Sequence, residues 1–262
     1  MISADDIKRI AKEKGKAAGV IEKDYALTWL LYGIYHKKSP IRDALVFKGG
    51  TAIRKVFFPE IWRFSEDLDF TVVDKEDSKK IIDGFNDVFR ILAEESGVTY
   101  TGDFNAGSKS IFGTVQFIGP LNHKNKIEHD ISLIEQLVET PILKAVKTDY
   151  PDIPKFSAKV YSLNEVLTEK IRSTFQRTKA RDYYDVWMLF KSNKFDTSEI
   201  SKLLKKKCEI NKIDYGPDLI FEKDRLSEIE SYWERSLGYL VDELPSVKTV
   251  IPELKQQLKF LS

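Results

Sequence analysis

The stretch FKGGTAIRKVFFPEIWRFSEDLDF, residues 47–70, decides how this chain is read. It places Gly49-Gly50-Thr51 shortly before Asp67-Leu68-Asp69. The end of the stretch alternates like a strand: Leu68, Phe70 and Val72 face one way, and Asp67, Asp69 and Thr71 the other. Same-face neighbours on a strand lie roughly 6.5–7 Å apart at Cα. Two carboxylates so placed can converge on one divalent cation, and magnesium favours a few carboxylates completed by phosphate oxygens. A lone D-x-D equally describes an edge strand that shows acids to solvent. The glycine pair follows the short strand ALVFK and opens a helix. Backbone N–H groups at such a turn favour an anion, and glycine lets a phosphate approach closely. The same dipeptide also fits an ordinary strand-to-helix turn, with Thr51 either offering a hydroxyl or capping the helix. The P-loop pattern is absent. In this order, the two patterns suggest a site for a nucleoside triphosphate and a metal.

Outward from this segment, TAIRKVFF places Ala52, Ile53, Val56 and Phe57 on one helical face, and Pro59 stops the helix. Upstream, helices are predicted over about residues 3–15, with Ser3 as N-cap, and about 20–35, with Tyr25, Trp29 and Tyr32 near helical spacing. Downstream, a helix at about 76–95 precedes a polar, glycine-containing stretch with strands. IFGTVQFIG and KIEHDISLI read as strands joined by PLNHKN. On the second, Glu128 and Asp130 share a face. Asp130, central in the run, is taken as the third acid that bridging two metals requires; either acid can instead be solvated. His129 points the other way, as a packed or surface histidine. Prolines 141, 151 and 154 mark a change, and the pattern beyond about residue 162 is helical. The expected division is a sheet-bearing lobe over 1–155 and a helical lobe over 156–262.

One helical stretch carries a further cluster, TEKIRSTFQRTKARDYYDVW. On an unbroken helix Lys170, Thr174, Arg177, Arg181 and Asp185 fall within about an 80° arc. A basic stripe ending in an acid suits a triphosphate or an RNA backbone. It also fits a salt-bridged solvent face, with Asp182 capping a new helix.

Bulk composition restricts the partners little. The chain has 262 residues, 42 basic and 41 acidic, for a net charge of +1, so any nucleic-acid footprint must be local. Its single cysteine, Cys208, excludes an internal disulfide and a zinc-finger framework, and three histidines do not make a histidine-rich metal site. The N-terminus is charged without an apolar signal core, and no run approaches the roughly 20 apolar residues of a membrane helix. A cytoplasmic protein with no membrane partner is expected.

FKGGTAIRKVFF…RFSEDLDF, then EKIRSTFQRTKARDYYDVW, together with the leading IEKDYALTWLL, resemble the AbiEii/AbiGii toxin family of nucleotidyltransferases over about residues 20–190. The resemblance implies an α+β fold: a polymerase-β-like nucleotidyltransferase core with a mixed sheet, followed by a helical C-terminal lobe. It implies magnesium- or manganese-dependent use of an NTP, with an RNA acceptor, often tRNA, and a cognate antitoxin in a toxin–antitoxin or phage-defence system. Gly49, Gly50 and Thr51 match the family's glycine turn, and Ser65, Asp67 and Asp69 its S-x-D-x-D segment. Lys170 matches the helical lysine and Asp185 the closing aspartate of R-D-x-x-D.

From these matches Asp67, Asp69, Lys170 and Asp185 are expected to be catalytic; Asp67 and Asp69, with Asp130 from its strand context alone, are expected to hold metal. Gly49, Gly50, Thr51, Ser65, Lys170, Arg177 and Arg181 are expected to bind the nucleotide, with Lys170 and Asp185 reaching toward the glycine turn. Two other readings stand beside this one: the same fold modifying a protein or a small molecule such as an aminoglycoside, and a non-catalytic binding module. The intact acidic pair argues against the last, since a retired site has no need of two carboxylates that repel each other.

Overall fold

The computed structural model describes residues 1–73 and 76–261. The chain divides into two compact units: Met1–Glu135 with Pro141–Tyr161, and Gln136–Thr140 with Ser162–Ser262.

The first unit begins with α1 (Ala4–Glu13), started by a capping box. Ser3 Oγ accepts from Asp6 N at 3.1 Å, and the Asp6 carboxylate accepts from Ser3 N at 3.0 Å. Helix α2 (Ala18–Tyr35) is buried almost all round, which is why its sequence lacks a clear polar face. Tyr35 at its end donates to the Leu45 carbonyl (3.0 Å), fixing the helix to the sheet.

The sheet is mixed and has seven strands, in the order β3-β4-β5-β2-β1-β7-β6. They are β1 (Leu45–Lys48), β2 (Asp67–Val72), β3 (Thr99–Ala106), β4 (Ser110–Ile118), β5 (Lys124–Ser132), β6 (Ile142–Ala145) and β7 (Ser157–Val160). Strands β1 and β2 are antiparallel, β2 and β5 parallel, and β4 and β5 antiparallel. The α+β fold with a mixed sheet expected from the sequence is therefore present. Helix α4 (Ser78–Glu95) buries Ile81, Phe85, Val88 and Leu92, and Leu68, Phe70, Ile127 and Ile131 of the central strands are fully buried. The β4–β5 turn holds Asn122 at φ 57°, a left-handed position that asparagine tolerates.

Two strands went unread in the sequence. β6 and β7 are only four residues long and flank a proline-rich loop, too short to show alternation. Because β7 pairs in parallel with β1, Phe47 opposite Val160, the sheet-bearing unit includes β7 and runs on to Tyr161.

The second unit contains α5 (Leu163–Gln176), α6 (Ala180–Ser192), α7 (Thr197–Ile210), α8 (Lys223–Leu237) and α9 (Val247–Gln257). Residues 136–140 join it through Glu165, which accepts from Val138 N (3.2 Å) and Glu139 N (3.0 Å) while pairing with Lys207 at 2.6 Å. Both Glu165 and Lys207 are fully buried, so each charge depends on the other.

Candidate active site

Strand β1 ends at Lys48, and the chain turns at Gly49, with φ +79°, into the short helix α3 (Gly49–Ala52). Only glycine fits there: a Cβ on Gly49 would stand 2.2 Å from Asp69 Oδ2. One on Gly50 would meet Arg63 Nη2 at 2.8 Å and Ser65 Oγ at 3.3 Å. The glycine turn is thus packed against the acidic strand on one side and a buried guanidinium on the other. Two hydroxyls fix this arrangement. Thr51 donates to the Asp67 carbonyl oxygen (2.6 Å), and Ser65 donates to Asp67 Oδ1 (2.8 Å). Both hydroxyls, expected to contact the nucleotide, here position Asp67.

The helix after the turn is not regular. Residues Ile53–Phe57 form a π-helical turn, closed by the bond from Phe58 N to Ile53 O at 2.9 Å. Arg54 and Lys55 are buried along with Ile53 and Val56, on Asp24 of α2: Lys55 Nζ lies 2.7 Å from Asp24 Oδ2 and Arg54 Nε 3.6 Å from Oδ1. Burial opposes ionisation of Asp24, but Lys55 and Arg54 outweigh it and hold the carboxyl below its ordinary range.

Strand register aligns the acids. Lys48 is opposite Asp69, Asp69 is opposite Asp130, and Asp130 is opposite Phe112 of β4. Directly paired residues carry their side chains on one face, so these four form a row across β1, β2, β5 and β4. Asp67 and Glu128 form the next row. Both candidates for a third acid stand beside an acid of β2, Asp130 opposite Asp69 and Glu128 opposite Asp67; Glu128 also pairs with Lys126 at 3.0 Å. His129 is on the other face, buried against Phe70, Phe85 and Phe104, and burial pushes its imidazole down to about 3, so it is neutral. The carboxylates of Asp67, Asp69 and Asp130 are hard oxygen donors of the kind magnesium and manganese take. Among the described residues no three His, Cys, Asp or Glu side chains are gathered closely enough to hold a metal by themselves. Substrate oxygens and water would complete the shell, as magnesium prefers.

In the second unit, α5 ends at Gln176 and Arg177 is extended (φ −147°, ψ 152°), so the basic stripe does not run along one helix. Helix packing gathers part of it instead. Lys170 Nζ lies 2.8 Å from Asp185 Oδ2 and 3.2 Å from Asp182 Oδ1, and Arg177 Nε lies 2.8 Å from Asp182 Oδ2. Burial would raise the Asp182 carboxyl, but Lys170 and Arg177 hold it below its ordinary value. Arg181 is turned elsewhere, donating to the Ser236 carbonyl (3.3 Å) and to the Tyr239 hydroxyl (2.5 Å). The turn in the chain at 177–179 separates it from Lys170 on α5.

Lys48 and Arg63 escaped the sequence reading. Arg63 has the same parity as Ser65, Asp67 and Asp69, a signal that could have drawn attention to it. Lys48 needed the β1–β2 register, which no local pattern supplies.

Among the described residues no helix is long and apolar enough to cross a membrane. The family described as "Nucleotidyl transferase AbiEii toxin, Type IV TA system" matches residues 29–259. Among solved structures, the chain is similar to MenT4, a nucleotidyltransferase toxin from Mycobacterium tuberculosis H37Rv, with a TM-score of 0.74 and 19% identity, covering 100% of this chain and 90% of that one. An antigenic nucleotidyltransferase-like protein from Paracoccidioides brasiliensis matches at a TM-score of 0.35 and 16% identity, over 63% of this chain and 79% of that one, too slight a likeness to carry an argument. No curated protein matches. The MenT4 likeness shows the fold; the family match, over most of the chain, shows the class of enzyme. This chain belongs to the AbiEii family, the nucleotidyltransferase toxins of type IV toxin–antitoxin systems.

Proposed function

We propose that this enzyme transfers a nucleotide from an NTP to an RNA acceptor, with tRNA as the favoured class, and that the row at the glycine turn is where transfer occurs. The observation that carries the proposal is the close approach of Gly49 to Asp69, which sets the glycine turn beside two carboxylates on one strand face. The turn's backbone N–H groups, with the Arg63 guanidinium beside Gly50, hold the triphosphate. Asp67 and Asp69, with Asp130, hold magnesium or manganese, which supplies charge neutralisation of the phosphates. Ser65 and Thr51 keep Asp67 in place. The acceptor hydroxyl attacks the α-phosphorus; its new P–O bond forms as the α–β anhydride bond breaks, pyrophosphate leaves, and the hydroxyl proton passes to solvent. Lys170 and Asp185 belong to the second unit, and their part in transfer is proposed from their match to the family motif. A cognate antitoxin restrains the activity.

The test supplies each labelled NTP with magnesium to total RNA, to total protein and to an aminoglycoside. Label in the tRNA-sized RNA, from one preferred NTP, is expected. Label in protein or in the aminoglycoside alone would replace the RNA acceptor with that substrate.

A further inference from the structure

We propose that Phe112 is the stacking platform for the base of the nucleotide whose sugar carries the acceptor hydroxyl. The inference rests on the RNA-acceptor reading above and adds to it a residue that fixes where the acceptor enters. A single exposed phenylalanine on a sheet needs no explanation. Phe112 differs in its place. It is 56% exposed and stands directly opposite Asp130, which stands directly opposite Asp69, whereas Ile118, the other exposed apolar side chain on this face of β4, lies at the far end of the strand. With strands about 4.8 Å apart, the ring begins one strand beyond Asp130 and about 10 Å from Asp69.

The direction of the reaction assigns the ring to the acceptor and not to the NTP. The glycine turn lies at the β1 end of the row, next to Lys48, so pyrophosphate departs on that side. An in-line displacement brings the nucleophile from the opposite side. From the acid pair, the opposite side is β5 and then β4, ending at Asp130 and Phe112. A base stacked on Phe112 sets its own sugar hydroxyl back along the row, toward the acids. Every base has a π-face, so the ring would grip an RNA end without demanding a sequence. Asn105, opposite Phe112 on β3, offers an amide to the edge of the stacked base. The packing beneath leaves the ring free to serve: Ile111 and Val115 on the other face of β4 are fully buried, so the strand is held without Phe112.

The test measures binding of a labelled single-stranded RNA oligonucleotide without NTP, and the KM for each substrate, in the wild type, Phe112→Ala and Phe112→Trp. Phe112→Ala should weaken RNA binding and raise the RNA KM by roughly 5- to 150-fold, the range for losing one stacked base. The NTP KM should stay within twofold, and Phe112→Trp should restore the RNA affinity. Transfer to RNA by the wild type with unchanged RNA binding in a folded Phe112→Ala variant would overturn the stacking role alone. A raised NTP KM with unchanged RNA affinity would move the ring to the other substrate and equally overturn it. A wild type that neither binds nor labels RNA would overturn the acceptor reading itself, and the stacking role with it.

Discussion

The α-carbon of Gly49 lies so close to the Asp69 carboxylate that a methyl group there would stand 2.2 Å from Asp69 Oδ2. The turn and the acidic strand are therefore one unit of structure, and neither can shift without the other. Gly49→Ala meets two penalties, the positive φ and the carboxylate. The strain at φ +79° costs on the order of 1–3 kcal/mol, and Asp69 must swing away from the row. A lowered melting temperature with transfer reduced at least 100-fold is expected. A Gly49→Ala enzyme with unchanged kinetics would show that the turn and Asp69 act independently.

Lys170 sits between two buried carboxylates, Asp182 and Asp185. Lys170→Ala leaves Asp185 without this cation inside the protein, and breaking a buried pair in this way costs about 3–5 kcal/mol. Urea denaturation should show that loss. Lys170→Met combined with Asp185→Leu should recover most of the stability but not the transfer, which separates packing from catalysis. If the double variant regains full transfer, the pair is structural and the motif match has no catalytic meaning here.

The alternation of Asp67-Leu68-Asp69, the strand-to-helix turn at Gly49-Gly50 and the helical second half are legible in the sequence, because each depends on residues a few positions apart. What local pattern could not supply was register. That Lys48, Asp69, Asp130 and Phe112 make one row depends on three strand pairings, one of which, β2 with β5, joins segments far apart in the chain. The π-helical turn at Ile53–Phe57 was hidden for a different reason: a regular helix and a widened turn bury the same Ile53 and Val56. The contact of Arg181 with Ser236 of α8 goes with the extended backbone at Arg177, where the sequence continues a convincing basic stripe. For His129 parity gave only the face, the one opposite Asp130; that this face is buried is seen in the structure.

Asp24 gives the first unit a pH dependence of definite sign. Its carboxyl is held below 3.8 in the folded chain, so between the two values the unfolded chain binds more protons. The stability Asp24 contributes is therefore complete above about pH 4 and is lost as pH falls through the lower folded value. Asp24→Asn should be less stable at pH 7, because Lys55 and Arg54 remain buried. Its stability should also fall less steeply below pH 4 than that of the wild type. Parallel acid limbs in the two proteins would contradict this assignment.

The most direct test of the central claim is nucleotide transfer by Asp67→Ala, measured with labelled NTP and RNA beside a thermal melt and an expression-toxicity assay. Asp67 faces the same side as Asp69, and removing one of two crowded acids relieves repulsion, so the fold should hold. The remaining acids cannot anchor magnesium against its reluctance to lose water. A well-folded variant with no detectable transfer, lost metal affinity and no growth arrest is expected. A well-folded Asp67→Ala protein with full transfer and toxicity would contradict this, and would place the chemistry away from the acid pair of β2.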